Sequence, residues 1–221
     1  FSHPLDGCPE KSNTTFMDDL RGWNKLTSRR YIWDYTINYN HFLMPFPNLD
    51  VLDLNIRTFV SNGVVGIFEE GASPVGAELG EVRAWVLARL LWNPRLDDTR
   101  LVKEFVSRVY GPAAGKVQEF IDIQGEAIRT GGDHVRVFDA PKGRYLGDDV
   151  LKRCDRILVE AQGLAGSGDA ALSNRIIRLR MPIWYTRFTL AREPKEVLKD
   201  QARRLSESGK ALGYTHVDAW S

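Results

Sequence analysis

The sequence has only two cysteines, Cys8 and Cys154, and they lie far apart in the chain. It contains no Cys-x-x-Cys motif and no Cys/His spacing typical of zinc, and its four histidines are scattered. We therefore predict no metal site and no cofactor. The sequence alone does not decide whether the two cysteines form a disulfide.

Long apolar runs and an excess of one charge are also missing. No apolar segment approaches the ~20 residues that a membrane-spanning helix needs. The net charge is +1, whereas a nucleic-acid partner requires a clustered basic face. We therefore expect no membrane span and no nucleic-acid binding. Because the chain opens on Phe1 without an initiator Met or a signal peptide, we expect a mature form or an excised fragment.

Residues 31–71 combine strand and helix signals in a strand, helix, strand order. Residues 31–35 form a short aromatic and β-branched run, and residues 63–68 form a second apolar run. Between them, residues 49–62 carry apolar side chains spaced for one helical face, namely Leu52, Ile56, Phe59 and Val60. This order predicts a parallel βαβ unit.

Acidic residues lie at the ends of both predicted strands. Asp34 lies in the first, and Glu69 and Glu70 follow the second. Parallel strands joined by a crossover helix end at the same edge of a sheet, which is where barrels and open α/β sheets carry their chemistry. We therefore expect Asp34 to share this edge with Glu69 or Glu70. The alternative is that Asp34 caps a turn and that the two glutamates are simply solvated.

The loop after the first strand, residues 38–48, is rich in aromatic residues and proline. Its rings could stack on the apolar faces of sugars while neighbouring polar groups bind the hydroxyls. They could equally pack against neighbouring loops. Both interpretations stay open at this point.

From residue 76 onwards the pattern is helical. Pro182 predicts a kink or a break, residues 134–139 alternate as a short extended segment, and residues 214–221 form a tail. Trp85, Trp92 and Trp184 lie at helical spacing and are expected in the core. Helices are predicted over residues 16–26, 77–92, 99–110, 113–130, 148–165, 169–192 and 195–213. The sequence thus predicts an α/β part over residues 1–75 and an all-α helical domain over residues 76–221.

Five segments of the chain, taken in order, carry a resemblance to a known family. They are Tyr31-Ile32-Trp33-Asp34-Tyr35, Pro45-Phe46-Pro47-Asn48, Gly63 to Gly71, Ala88 to Pro94 and Glu104 to Ala114. Through them the chain is similar, over roughly residues 1–190, to the bacterial glycoside-hydrolase-like family known as domain of unknown function 4838. Residues 89–94 are also similar to the segment that follows the barrel in α-glucuronidases.

The resemblance implies a (β/α)₈ TIM-like barrel followed by a helical domain, within a longer protein. Eight βα units need about 250 residues, so we expect residues 1–75 to be the C-terminal portion of such a barrel. The remainder of the parent chain would then lie N-terminal to residue 1, and the fragment alone is expected to be inactive. The resemblance also implies a secreted or periplasmic location.

The resemblance further implies a carbohydrate ligand and glycoside hydrolysis of the α-glucuronidase-like or hexosaminidase-like kind. Asp34 with Glu69 or Glu70 would activate water, and a general acid would come from an earlier strand. Strand alternation lets only one of the two glutamates face the barrel lumen, and Glu70 is favoured because the chain can turn at Gly71. The substrate-binding residues would be Trp33, Tyr35, Tyr39 and His41.

A non-catalytic carbohydrate-binding or scaffold module is the alternative. Ion pairs between the acidic residues and Arg83 or Arg89 would favour it. In either case the helical half is expected to buttress the barrel.

Overall fold

The computed structural model describes residues 2–72, 76–166 and 168–220. Within these ranges it contains two β-strands and eight α-helices, none of which is long and apolar enough to cross a membrane. In chain order the elements are α1 (Lys11–Asn24), β1 (Tyr31–Tyr35), α2 (Leu52–Ser61), β2 (Gly66–Glu70), α3 (Gly80–Trp92), α4 (Asp98–Tyr110), α5 (Ala114–Gly131), α6 (Asp148–Leu164), α7 (Ala170–Leu190) and α8 (Lys195–Ala211).

The predicted βαβ unit is confirmed. Strands β1 and β2 pair in parallel, and α2 connects them. Ile32 and Ile67 project from one face of this sheet onto the main apolar cluster, which includes Ile56 and Phe59 of α2. That face is therefore covered by helix, as expected for the inner side of a crossover connection.

The opposite face of the sheet, which we call the open face, is exposed to solvent. It carries Tyr31, Trp33 and Phe68, whose exposed fractions are 75%, 64% and 54%. Large aromatic side chains are rarely left so accessible on a strand that pairs in parallel, because parallel sheets are usually covered on both faces.

The helices from α3 to α8 pack each against the next one along the chain. One apolar cluster extends from Met17 of α1 through α2 to Ile183 of α7. Packing therefore crosses the predicted boundary between residues 75 and 76, and the division into two domains stays a prediction. The closing segment after α8 packs through Tyr214 against a smaller cluster around Met181 and Trp184.

One helix prediction needs correction, and a second is settled only in part. α1 begins at Lys11 rather than at residue 16, because the Glu10 side chain caps it by accepting a hydrogen bond from the Ser12 N–H at 2.5 Å. Of the kink or break predicted at Pro182, the break is absent, because α7 continues through this residue. The kink that proline favours in a helix interior stays a prediction.

Three smaller predictions also have outcomes. Residues 134–139 form no strand, although Val135 and Val137 are buried. Trp184 is buried as predicted, but Trp92 at the end of α3 is 91% exposed. Cys8 and Cys154 are both buried free thiols.

Candidate functional site

The register of β1 and β2 decides which acidic residues meet. Asp34 lies opposite Glu69, and Tyr35 lies opposite Glu70. Residues opposite one another in a parallel pair project from the same face, and successive residues alternate between faces. Asp34 and Glu69 therefore share the face that is covered by helix, while Glu70 lies on the open face. The carboxylate in register with Asp34 is that of Glu69, and the assignment of Glu70 to the barrel lumen stays a prediction.

The Asp34 and Glu69 side chains form a half-buried carboxyl pair. Neighbouring strands lie about 4.8 Å apart, so two carboxyls in register are close. Asp34 Oδ1 accepts a hydrogen bond from the Tyr35 N–H at 2.9 Å, so the predicted capping role holds for one of its oxygens. Across the described ranges, Glu69 has no hydrogen-bond partner, and no Lys, Arg or His pairs with either carboxylate.

Both carboxyls are shifted towards their protonated forms. Burial raises the pKa of Asp34 to about 6. Burial, and then the charge of Asp34, raise the pKa of Glu69 to about 8. Because two like charges in a poorly solvated site oppose one another, the pair retains about one proton near neutral pH. Such a pair can donate a proton from one member and carry a negative charge on the other.

Glu69 also lines a cavity of about 690 Å³ between β2, α3 and α7. This volume lies within the range of about 300–1,000 Å³ that small-molecule sites occupy. The walls are mainly apolar, and the polar residues that join Glu69 in lining it include Glu81, Tyr110, Arg178 and Tyr214. No sequence signal identified these four residues, because four distant segments of the chain supply them: α3, α4, α7 and the segment after α8.

The open face carries three of the predicted site residues. The Trp33 indole N–H donates to a Glu70 carboxylate oxygen at 2.5 Å, and the Trp33 ring meets Phe68 edge-on with 4.8 Å between ring centroids. Tyr35 follows at the end of the same face, with its ring edge-on to Tyr39 at 5.2 Å. Trp33, Tyr35 and Glu70 therefore lie together, apart from the carboxyl pair.

Tyr39 and His41, the two remaining predicted sugar contacts, are engaged with the protein itself. Tyr39 is buried, and its hydroxyl donates to the main-chain carbonyl of Glu70 at 2.8 Å. His41 Nδ1 lies 2.6 Å from the Tyr185 hydroxyl, and burial lowers the pKa of His41. The loop after β1 thus packs on neighbouring elements through these side chains, and their contact with a substrate stays a prediction.

The arginines that could have neutralised the acidic residues are used elsewhere. Arg83 is fully buried and pairs with Glu78 at 3.2 Å. Arg89 stacks on the Trp85 ring, with 5.0 Å between the guanidinium carbon and the ring centroid. In the part of the chain that the structure describes, the ion pairs that would favour a scaffold role are therefore not formed.

No group of three or more His, Cys, Asp or Glu side chains within residues 2–72, 76–166 and 168–220 is arranged to hold a metal ion.

Comparison with known proteins gives one family. Neither the curated proteins nor the solved structures include a match to this chain. The family model described as "Domain of unknown function (DUF4838)" matches residues 1–122, a shorter stretch than the resemblance suggested. This match covers more than half of the 221 residues and includes β1, β2 and the carboxyl pair, so the chain belongs to this family.

Proposed function

We propose that this chain is part of a carbohydrate-active protein of the glycoside hydrolase type, and that Asp34 and Glu69 are its proton-exchanging carboxyl groups. One observation carries the proposal: two carboxyls lie in register and half-buried without a cationic partner among the described residues. Such an arrangement costs stability, because a folded protein usually pairs buried charges. Strongly perturbed carboxyls beside a cavity are typical of functional sites.

The chemistry follows from the different protonation states of the two groups. Glycosidic hydrolysis uses one carboxyl group that donates a proton to the leaving oxygen and a second that is ionised. Glu69 has the higher pKa of the pair and lines the cavity, so we assign it the role of general acid. Asp34 ionises first and supplies the negative charge. The sequence had instead assigned both groups to the activation of water.

The proposal extends to the fold of the whole protein. A parallel sheet with one helix-covered face and one exposed aromatic face would be completed by further strands, and we propose the C-terminal part of a (β/α)₈ barrel. The remainder of the parent chain would supply those strands. The α-glucuronidase-like or hexosaminidase-like relation, the polysaccharide-derived glycan and the secreted or periplasmic location belong to this same proposal.

A barrel also allows a different assignment of the catalytic carboxyl group. The face opposite the crossover helix lines the lumen of a (β/α)₈ barrel. Trp33, Tyr35 and Glu70 would then face the lumen, and the carboxyl pair would face the helix layer. Catalysis by Glu70 and catalysis by the pair are therefore distinguishable by mutation.

The test uses the natural full-length protein with a panel of aryl glycosides and uronic-acid oligosaccharides. Asp34→Asn and Glu69→Gln should each lower kcat/KM by about 10²- to 10⁴-fold, as expected for loss of a general acid or its partner. Glu70→Gln is the adjacent comparison, and Asp19→Asn on the exposed side of α1 is the surface control.

The pattern across these four variants decides the assignment. Loss of activity in Asp34→Asn and Glu69→Gln, with Glu70→Gln close to wild type, supports the pair. Loss in Glu70→Gln alone would move catalysis to the open face. Unchanged rates in all of them would remove these carboxyls from the mechanism.

A second function is favoured by the open face itself. The exposed Tyr31, Trp33 and Phe68 rings form a surface on which a sugar ring can stack, and Glu70 can accept hydrogen bonds from hydroxyls. A non-catalytic carbohydrate-binding protein would use this face alone. Glycan-array binding that is lost in Trp33→Ala but retained in Asp34→Asn, without hydrolysis, would identify this function.

A further inference from the structure

Three hydrogen-bond donors converge on one main-chain carbonyl at the end of β2. The Glu70 carbonyl oxygen accepts from the Thr36 N–H at 3.1 Å, from the Thr36 hydroxyl at 2.7 Å and from the Tyr39 hydroxyl at 2.8 Å. A carbonyl oxygen has two lone pairs, so three donors saturate it. The first of these bonds extends the ladder between the strands by one residue, and the two hydroxyls reinforce it.

Buried polar groups in turn hold Thr36 in place. The Asn48 side-chain amide donates to the Thr36 carbonyl at 3.1 Å, and Arg83 Nε donates to the Asn48 side-chain oxygen at 2.9 Å. Arg83 is anchored by its ion pair with Glu78. Thr36, Tyr39, Asn48, Glu78 and Arg83 are each at most 5% exposed. The contacts therefore form one buried network that links α3 to the ends of both strands.

The network lies next to the carboxyl pair. Glu70 directly follows Glu69, and Thr36 lies two residues after Asp34. Strands β1 and β2 end at Tyr35 and Glu70, beyond which the structure describes no further strand pairing. The two hydroxyls therefore add to the ladder bonds at the end of the sheet that is nearest to Asp34 and Glu69.

We propose that Thr36 and Tyr39 are positioning residues, whose hydroxyls hold the end of β2 so that the carboxyl groups of Asp34 and Glu69 stay side by side. The role of this pair as the reacting groups rests on the proposed function above. In this proposal the Tyr39 hydroxyl supports the pair, and the contact of Tyr39 with a sugar stays a separate prediction.

The experiment removes the hydroxyls one at a time and then together, with Thr36→Val, Tyr39→Phe and the double variant in the full-length protein. The first readout is the titration of the Asp34 and Glu69 carboxyls by carbon-detected NMR. Carboxyls that move apart repel one another less, so the higher pKa of the pair should fall by about 0.5–1 unit in the double variant. The second readout is the pH dependence of kcat. The pH at which kcat falls as Glu69 loses its proton should decrease in the double variant, and KM should stay unchanged.

Tyr145→Phe is the matched control. Tyr145 is as buried as Tyr39, but its hydroxyl has no hydrogen-bond partner among the described residues. Removing it should leave both carboxyl pKa values unchanged. A role of Tyr39 in stability alone would lower the melting temperature of Tyr39→Phe without moving the carboxyl titration.

The outcomes separate this inference from the proposed function. Carboxyl pKa values that stay at their wild-type positions in the folded Thr36→Val and Tyr39→Phe single variants would overturn it, and the single variants serve if the double variant does not fold. A shifted titration in a protein that hydrolyses no glycoside would support the positioning and reject the enzyme proposal.

Discussion

Replacing Asp34 by Asn should stabilise the protein at neutral pH, although the change is made in the candidate site. Folding raises the pKa of Asp34 from 3.8 to about 6, so the native state disfavours the ionised form. A shift of about 2 units corresponds to roughly 3 kcal/mol at 1.36 kcal/mol per unit. Water still reaches this half-buried side chain and screens its charge, so we expect a gain of about 1–2 kcal/mol in the free energy of unfolding.

The gain should depend on pH in a definite direction. A carboxyl with a raised native pKa binds its proton more tightly in the folded than in the unfolded protein, so stability falls as pH rises between the two pKa values. For Asp34 this window runs from 3.8 to about 6, and for Glu69 it runs from 4.5 to about 8. Asp34→Asn should therefore match wild type near pH 3.5 and exceed it above pH 6.

Urea unfolding followed by tryptophan fluorescence at several pH values from 3.5 to 8 measures this difference. Asp19→Asn, a substitution on the exposed side of α1, controls for the general effect of removing one negative charge. The reasoning is refuted if Asp34→Asn is less stable than wild type at pH 8, or if its stability difference does not change with pH.

Three further outcomes are expected. Arg83→Met should lower the free energy of unfolding by about 3–5 kcal/mol in urea titrations, because it leaves the buried Glu78 carboxylate unpaired. Adding Glu78→Met to this variant should recover much of the loss. Trp184→Ala should cost about 3–5 kcal/mol in the same assay, whereas Trp92→Gln, at an exposed ring, should change stability by no more than about 0.5 kcal/mol. Cys154 should react with a thiol reagent only after unfolding, because burial makes it inaccessible and raises its pKa to about 12. Rapid labelling of Cys154 in the folded protein would contradict this.

The βαβ unit was predictable because its signals are local and strong. The apolar spacing of residues 49–62 fits one helical face, and α2 occupies Leu52–Ser61 within that range. Two short β-rich runs on either side of it leave a parallel pairing as the natural arrangement. The shared edge for Asp34 and the two glutamates follows from this topology alone, and the observed register agrees with it.

The choice between Glu69 and Glu70 was not predictable in the same way. Alternation shows that the two side chains project from opposite faces, but the face that α2 covers is set by packing of Ile32 and Ile67 on the helix. The turn-forming ability of Gly71 carries no information about that packing. The two isoleucines do indicate which glutamate shares a face with Asp34, because Asp34 and Glu69 each lie two residues after one of them.

Other errors arose where distant contacts override local pattern. Residues 134–139 alternate like a strand, yet they have no partner strand in the described structure, and the Val137 carbonyl instead accepts a hydrogen bond from the Tyr39 N–H at 2.7 Å. The Arg83–Glu78 pair depends on Phe46 and Asn48, which are more than 30 residues away in the chain. No spacing rule within one helix reveals such a partner.

The network around Glu70 and the carboxyl pair are neighbours with opposite expected effects on stability. The pair costs free energy at neutral pH, so its replacement should stabilise the fold, whereas Arg83 and Asn48 satisfy buried polar groups, so their replacement should destabilise it. If the network exists to hold the pair in place, both sets of variants should nevertheless lower activity. A purely structural network would give destabilised variants that retain the carboxyl titration of wild type. A functional site is therefore indicated when the two sets of variants change the free energy of unfolding in opposite directions but both lower activity.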